Sequence, residues 1–393
     1  MRLISIIVII LFADIANAQW HQSNLTSGNV YCINSKGSTF FAGKNNRIYK
    51  STDNGINWSI SSYGLTSNYV RSIQFIDTTI YAGTDVGVFV STNYGVSWSL
   101  MNNGLSNVNV NDLAIIDTTI FAGTYDGLFR SENNANSWTQ LATGLPTGGS
   151  PPNSILSLGT TGNFILAGIY GASVRASTNK GDSWYSSGSG ISIYDNIYGG
   201  FGFNGNIIYA CSYNGVYKSN NGGGSWTHSV NGLTSFNINA VAIADTNVFV
   251  STNDGVYLSS INNNFWTKIN DGFPVTIAIK SLYIKGDTLF AGSNNNLGIW
   301  YRLLGDILTG IEIENSTFSN LFPNPSSGKF KLENKNNIRL VEVYNTLGEI
   351  ILSIKDNTQN KYYDIDISNQ PCGIYFLKAY CTHNTYIEKL IKN

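Results

Sequence analysis

Residues 51–58 read Ser-Thr-Asp-Asn-Gly-Ile-Asn-Trp, and variants of this stretch recur along the chain. In each copy a Ser opens a short polar turn, and a Trp follows seven positions after it. The Trp residues that follow these turns are spaced 40, 40, 46, 42 and 40 positions apart: Trp58, Trp98, Trp138, Trp184, Trp226 and Trp266. A period near 40 residues, held over most of the chain, indicates a repeat architecture.

A second marker sets the number of repeats. It is an apolar residue followed by Ala-Gly at 41–43, 81–83, 121–123, 166–168 and 290–292, with degenerate copies at 209–211 and 249–251. Each unit contains four short strand patterns separated by turn residues, in the second unit at 69–76, 79–84, 86–91 and 98–101. Four strands cannot bury both faces of their sheet alone, whereas a ring of such sheets can. The sequence therefore predicts an all-β fold, a seven-bladed β-propeller.

The last unit, residues 281–304, has no Trp strand after it. Residues 20–27, which begin with Trp20, align instead with residues 58–67. We therefore expect the N-terminal strand to complete the last blade, which would remove a pair of open sheet edges. The predicted propeller spans residues 19–304.

The turn before each Trp resembles the Asp-box hairpin of sialidase-like secreted propellers. Its Asp or Asn bonds the turn backbone, its Gly accepts a positive φ, and its Trp packs between sheets. The resemblance raises the hypothesis of a glycoside hydrolase, which needs two placed carboxyl groups or a Tyr nucleophile with an acid. A second resemblance, to photosystem-assembly propellers that share Asn-x-Gly-x-x-Trp, implies an arginine cluster on the partner face, which this arginine-poor chain lacks.

Few residues of the predicted propeller suit such chemistry. It contains five arginines and one Glu, Glu132, and most of its Asp residues fall at repeated turn positions. Asp112 is an exception, because it lies on an innermost strand and is expected to line the channel beside Arg71. This pair is interpreted as a polar channel wall or, alternatively, as part of a site. The balance favours a non-enzymatic protein, with a polysaccharide-active hydrolase as the alternative.

Insertions near residues 144–159 and 185–206 lengthen loops between blades three, four and five. Loops on a rigid scaffold often carry binding residues. Tyr185, Tyr194 and Tyr198 lie there and are candidates for stacking on a sugar or an aromatic partner, with ordinary packing as the competing interpretation.

The N-terminus indicates export, and the composition of the chain argues against several classes of partner. Residues 1–18 combine Arg2, an apolar run and Ala16-Asn17-Ala18, the pattern of a signal peptide. The formal net charge is −1, which gives no indication of nucleic-acid binding. Four cysteines and three histidines are scattered, so neither a metal nor another cofactor is expected, and no transmembrane segment is predicted in the mature chain.

After residue 304 the periodicity stops, and residues 305–319 are predicted as a linker. Residues 320–393 contain Pro323-Asn324-Pro325, the stretches 341–348 and 373–376, and Lys389-Leu390-Ile391-Lys392 near the end. These motifs resemble the type A sorting domain of the type IX secretion system of Bacteroidetes, which is a small Ig-like β-sandwich. The resemblance implies handling by that secretion machinery, followed by surface attachment or release.

Together these patterns predict an exported propeller that binds a protein or a glycan and is delivered by its C-terminal domain.

Overall fold

The computed structural model describes residues 19–146, 154–309, 321–333, 338–345, 350–355, 362–381 and 385–393. The predicted signal peptide lies outside the described residues. The chain divides into two compact units, Met1–Ile307 and Leu308–Asn393, and each is described by itself.

The first unit is built from four-stranded antiparallel sheets, six of which consist of four consecutive strands. Sheet 1 contains β2 (Val30–Lys36), β3 (Thr39–Lys44), β4 (Arg47–Ser51) and β5 (Ser59–Ile60). Sheet 2 contains β6 (Val70–Ile76), β7 (Thr79–Thr84), β8 (Gly87–Ser91) and β9 (Ser99–Leu100). Sheet 3 contains β10 (Val110–Ile116), β11 (Thr119–Thr124), β12 (Gly127–Ser131) and β13 (Thr139–Leu141).

The next three sheets repeat this order. Sheet 4 contains β14 (Ile155–Thr161), β15 (Phe164–Ile169), β16 (Ser173–Ser177) and β17 (Tyr185–Ser186). Sheet 5 contains β18 (Ile197–Asn204), β19 (Ile207–Ser212), β20 (Gly215–Ser219) and β21 (Thr227–Ser229). Sheet 6 contains β22 (Ile238–Ala244), β23 (Asn247–Thr252), β24 (Gly255–Ser260) and β25 (Thr267–Lys268).

Sheet 7 combines strands from both ends of the unit. It contains β26 (Ile279–Lys285), β27 (Thr288–Ser293) and β28 (Ile299–Leu303), and its outer strand is β1 (His21–Gln22), which pairs with β28. The first strands β2, β6, β10, β14, β18, β22 and β26 contact one another in this order, and β26 contacts β2. The sheets therefore form a closed ring around a central channel, and the predicted all-β propeller fold is confirmed.

The Ala-Gly marker lies on the second strand of each sheet because that strand is covered on both faces. Ala42, Ala82 and Ala122 are fully buried. A Cβ atom on Gly43 would lie 2.6 Å from the carbonyl oxygen of Val70 in the next sheet. Close packing of the neighbouring sheet thus leaves no room for a side chain at Gly43.

The polar turn before each outer strand is held by its own side chains. In residues 51–57, Ser51 Oγ accepts a hydrogen bond from Gly55 N, and Asp53 Oδ1 accepts one from Asn57 N at 2.9 Å. Asn93, Asn133, Asn179 and Asn221 accept the equivalent bond from the residue four positions later. The Trp that follows is buried, and Trp98 Nε1 donates to the carbonyl of Ser61 in the neighbouring sheet at 2.8 Å. These turns therefore fix both the hairpin and the contact between sheets.

The unit ends in a short helix, α1 (Leu304–Thr309). Leu304 and Ile307 are buried against the core between sheets 6 and 7, which also contains Trp20. The segment predicted as a linker therefore begins with an ordered turn, because the apolar side chains of Leu304 and Ile307 pack against this core. Residues 310–320 lie outside the described part of the chain.

The second unit contains two antiparallel sheets. One consists of β29 (Leu321–Phe322), β30 (Lys329–Glu333) and β33 (Tyr362–Asp366). The other has the order β32 (Ile350–Lys355), β31 (Ile338–Tyr344), β34 (Gly373–Cys381) and β35 (Thr385–Lys392). Both sheets contribute to one core, in which Leu332 and Ile365 of the first sheet pack with Val341 and Leu377 of the second. This is the small β-sandwich expected from the sequence.

Two sequence motifs of this unit meet although they are about 65 residues apart in the chain. Asn324 Oδ1 accepts a hydrogen bond from Ile391 N at 2.9 Å, and Ser326 N donates to the carbonyl of Ile391 at 3.0 Å. The Pro-Asn-Pro segment therefore holds the end of the chain in place.

Candidate functional site

The channel of the first unit is lined by unpaired residues of the first strands, one in each sheet except sheet 5, where residues 198–200 are unpaired. Every first strand shifts register just after its first residue, which is the signature of a β-bulge. The bulged positions are Tyr31, Arg71, Asn111, Leu156, Tyr198, Asn239 and Lys280. All of them line a cavity of about 410 Å³. Because these strands start at the same end of the ring, this end is here called the mouth face.

Side chains at or next to the bulges tie first strands to the following sheet. Arg71, Asn111, Ser157, Asn239 and Ser281 each donate a hydrogen bond to a backbone carbonyl of the following sheet. Between sheets 5 and 6 the equivalent residues are Gly199 and Gly200, which have no side chain to donate. A Cβ atom on Gly200 would meet nothing within 4 Å, so the cavity is open beside this residue.

Asp112 lies in the wall of the cavity, where the sequence predicted it. Its Oδ1 accepts a hydrogen bond from Leu113 N at 2.8 Å, and its Oδ2 accepts one from Leu158 N of sheet 4 at 2.9 Å. Removal from water raises the pKa of Asp112 to about 6, although these hydrogen bonds and one from Ser72 oppose the rise. The carboxylate therefore joins two sheets.

Arg71 lines the same cavity but points toward sheet 3. Its Nη1 donates to Asn109 Oδ1 at 2.6 Å and to the carbonyl of Val110 at 3.0 Å. Its guanidinium carbon lies 5.6 Å from the ring centroid of Tyr69, a cation–π contact. Burial lowers the pKa of Arg71, and the nearby carboxylate of Asp85 opposes this effect. Arg71 and Asp112 both line the cavity. Arg71 bonds sheet 3 and contacts Tyr69, whereas Asp112 bonds its own strand, sheet 4 and Ser72 of sheet 2.

Lys280 is the second cation of the cavity, and the sequence argument missed it. It is half-buried on β26, and burial lowers the pKa of its ammonium group. In the part of the chain that the structure describes, its Nζ has no hydrogen bond or ion pair to another residue. A desolvated ammonium group without a partner is well placed to bind a negatively charged ligand atom.

Tyr198 contributes an aromatic ring to the opposite side of the cavity. Its ring centroid lies 4.3 Å from that of Tyr213, with 32° between the ring planes. Burial, with a smaller effect of the neighbouring Tyr213, Tyr170 and Tyr125, raises the pKa of Tyr198 to about 12. These three neighbours are exposed and follow the second strands of sheets 5, 4 and 3, so the tyrosines form an aromatic arc on the mouth face.

The other two tyrosines predicted from the sequence lie outside the cavity. Tyr185 is on the outer strand β17, and 49% of its surface is exposed. Tyr194 is 82% exposed on the loop before β18. Asp195 holds this loop by accepting hydrogen bonds from Asn214 and from the hydroxyl of Tyr217. The structure thus brings together Arg71, Asp112 and Tyr198, and leaves Tyr185 and Tyr194 apart.

A sequence signal for the missed residues exists. Tyr31, Asn239 and Lys280 each precede the position that aligns with Asp112 in its own repeat. The residues at this aligned position in all seven repeats together form the cavity wall. This aligned position is hard to recognise in the sequence because its residue type varies among the repeats.

No group of three or more His, Cys, Asp or Glu side chains that could hold a metal ion occurs among the described residues. No helix among these residues is long and apolar enough to cross a membrane. Cys32 and Cys211 are free thiols, and burial raises the pKa of Cys32 to about 12.

Comparison with protein families assigns the second unit. Residues 320–393 match the family model described as a secretion system C-terminal sorting domain. The chain carries a sorting domain. It follows that the protein is destined for secretion or attachment to the cell surface. The type IX secretion machinery is the partner that such a domain implies.

Solved structures of propeller-like proteins resemble the chain at low sequence identity. The extracellular domain of the putative one component system BT4673 from B. thetaiotaomicron is 16% identical, with a TM-score of 0.58 over 95% of this chain and 52% of that one. YCF48 from Cyanidioschyzon merolae is 15% identical, with a TM-score of 0.54 over 72% and 98%. YCF48 bound to D1 peptide is 15% identical, with a TM-score of 0.58 over 72% and 94%. These similarities show the fold alone.

No curated protein sequence matches the chain at a significant level.

Proposed function

We propose that this protein is an exported, non-enzymatic binding scaffold that captures its ligand in the cavity of the mouth face. The observation that carries the proposal is that some cavity side chains are available to a ligand whereas others are bonded to the protein backbone. Lys280 and Tyr198 face the cavity, whereas the carboxylate of Asp112 is held by two backbone amides. A volume of about 410 Å³ lies within the range of ~300–1,000 Å³ that is usual for small-ligand sites.

The small number of carboxyl groups in the cavity favours binding over the hydrolase alternative. Of the described residues that line it, Asp112 alone carries a carboxyl group. Glycoside hydrolysis commonly uses a pair of carboxyl groups or a Tyr nucleophile with an acid. The described cavity wall offers no second carboxyl group, and both oxygens of Asp112 are bonded to backbone amides rather than free to act beside a Tyr. We therefore assign Asp112 a structural role.

Delivery follows from the sequence features at both ends of the chain. We infer that residues 1–18 direct export across the inner membrane and that residues 19–304 form the seven-bladed ligand-binding propeller. Residues 305–319 connect it to the sorting domain at 320–393. The Ser-x-Asp/Asn turns support the Asp-box resemblance, and the sorting domain supports an origin in Bacteroidetes with either surface anchoring or release.

A channel-filling variant tests the proposal. Leu156 is half-buried in the cavity wall, so Leu156→Trp is expected to fill the cavity without disturbing an outer strand. Immobilised wild-type chain and the variant would be compared on a glycan array and in pull-downs from envelope fractions. Loss of capture by Leu156→Trp, with capture retained by Tyr185→Ala, supports the proposal. Equal capture by both variants, or none by the wild-type chain, contradicts it.

A further inference from the structure

We propose that the ligand is an acidic oligosaccharide whose carboxylate binds at Lys280 and whose sugar rings lie against the aromatic arc. This inference rests on the proposed function and names the chemical class of its ligand. The cavity supplies three kinds of contact, namely a free cation, oriented hydrogen-bond acceptors and exposed aromatic rings. Each kind matches one part of such a ligand.

The cationic side of the cavity is formed by sheets 7, 1 and 2. Lys280 of sheet 7 has an Nζ that bonds no other group in the described part of the chain. Arg71 of sheet 2 also lines the cavity and uses Nη1 for hydrogen bonds to the channel wall. A carboxylate would recover the hydration that Lys280 gives up on burial, because a charge-assisted hydrogen bond is strongest in a desolvated site.

The acceptors of the cavity favour hydroxyl groups. The amide nitrogens of Gln74, Asn111 and Asn239 donate to the carbonyls of Leu113, Ile155 and Ile279, at 3.2, 2.8 and 2.9 Å. These bonds fix which end of each amide is the oxygen. The amide oxygens are acceptors, so they repel a ligand made only of carboxylates and accept hydroxyl donors. A hydroxyl-rich ligand that also carries a carboxylate on a sugar ring satisfies both requirements.

The aromatic side is formed by sheets 3, 4 and 5. Tyr125, Tyr170 and Tyr213 are exposed by 49%, 41% and 47%, and Tyr198 continues the arc into the cavity. Exposed aromatic rings provide flat apolar surface that stacks on the C–H face of a sugar. Gly200 leaves the adjacent wall open, so a ring stacked on Tyr198 has space beside it.

The test is a calorimetric titration of the full chain with acidic oligosaccharides. The probes are trigalacturonate, trimannuronate and a hyaluronan tetrasaccharide, each paired with its carboxyl-reduced counterpart. We expect at least one acidic probe to bind, and its reduced counterpart to bind at least 10-fold more weakly. Lys280→Met should weaken binding at least 10-fold. Arg47→Met, which removes an exposed cation of the mouth face outside the cavity, should change it less than twofold.

Thermal unfolding of both variants establishes that they fold. Absence of binding by every acidic probe overturns the acidic class, as does equal affinity for the reduced counterparts. If Leu156→Trp abolishes capture from envelope fractions while the captured species is a peptide or a neutral glycan, the ligand class is wrong and the cavity remains the binding site. If Leu156→Trp leaves capture unchanged, the proposed function itself fails.

Discussion

Asp112 Oδ2 accepts a hydrogen bond from the backbone N–H of Leu158 at 2.9 Å, across the boundary between sheets 3 and 4. This bond explains why an acid occupies a position that holds Ser72, Ala240 or Ser281 in other repeats. A carboxylate with two oxygens bonds the backbone of its own strand and of the next sheet at once. The acid that sequence reasoning singled out is thus part of the channel wall.

The raised pKa of Asp112 predicts a pH dependence of stability. The pKa rises from 3.8 to about 6, so the folded chain holds this proton more tightly than the unfolded chain. The stabilisation is complete below about pH 4 and is lost as the pH rises through about 6. Asp112→Asn removes this dependence. The stability of the variant relative to wild type should therefore increase between pH 4 and pH 8, by at most about 3 kcal/mol. Thermal unfolding at both pH values measures the change.

Asp53 provides a control of opposite sign. Hydrogen bonds from Asn57 and Ser51 lower its pKa, so its contribution is present above about pH 4 and is lost as the pH falls. Asp53→Asn should therefore lose stability relative to wild type on going from low to neutral pH. A flat pH profile for the Asp112→Asn difference would contradict the burial of that carboxyl group.

The pairing of β1 with β28 predicts that the N-terminal strand is needed for stability. Trp20 is 2% exposed, its Nε1 donates to the carbonyl of Ile269 at 2.7 Å, and its ring stacks on Phe273 at 4.9 Å. Trp20→Ala should cost about 3–5 kcal/mol, the usual loss for a buried large side chain. His21→Ala, at an exposed neighbouring position, should cost less than about 0.5 kcal/mol. Chemical denaturation of the two variants checks this, and equal losses would contradict closure through Trp20.

The turns before the outer strands predict a difference between two glycines. Gly95 has a φ of +80°, and an added Cβ atom would lie 2.6 Å from both Phe41 Cε1 and Ser61 Oγ. Gly37 has a φ of +60° with nothing within 4 Å. Gly37→Ala should cost about 1 kcal/mol from backbone strain alone, and Gly95→Ala about 3 kcal/mol because a clash is added. Denaturant titration distinguishes them. Equal costs would mean that Gly95 is required only for its φ.

The end of the sorting domain contains a buried lysine. Lys392 is 8% exposed, and its Nζ donates to the carbonyls of Ser368, at 2.9 Å, and Gln370. Lys392→Met should destabilise this domain by about 1.5–3 kcal/mol, because both carbonyls lose a charged donor. Hydrogen exchange of the full chain should then quicken in residues 321–393 and stay unchanged in the propeller.

Lys389→Met is the matched control, because Lys389 is exposed three residues earlier on the same strand. It should leave hydrogen exchange unchanged. If both variants exchange alike, the contacts of Lys392 do not stabilise the domain.

The fold was predictable because its determinants are local and repeated. The turn at residues 51–58 and the Ala-Gly marker each fix one part of a sheet, and their period fixes how the sheets follow one another. The sorting domain was predictable because Pro323-Asn324-Pro325 and the final strand are distinctive in sequence. Their contact, between Asn324 and Ile391, could not be read from the chain because it joins distant segments.

The cavity was predicted only in part, because the side chains that enter it are selected by a bulge. A bulge leaves one residue unpaired and turns its side chain toward the channel, and the alternation of a regular strand does not reveal this. Tyr198 was recognised as an aromatic residue of an insertion. Lys280 and Tyr31 lie in regular repeats, where the repeat pattern does not distinguish them from their neighbours. Tyr185 was singled out for the same reason as Tyr198, yet it falls on an outer strand.

The most direct test of the central claim is hydroxyl-radical footprinting of the full chain, with and without the ligand-containing envelope fraction. Binding at the mouth face should protect Tyr31, Tyr198 and Tyr213 from oxidation. It should leave Tyr185 unchanged, and also Tyr63, which is 80% exposed after the outer strand β5. Protection of Tyr185 and Tyr63, with unchanged oxidation of Tyr31 and Tyr198, would show that the ligand binds elsewhere and would contradict the assignment of the cavity as the binding site.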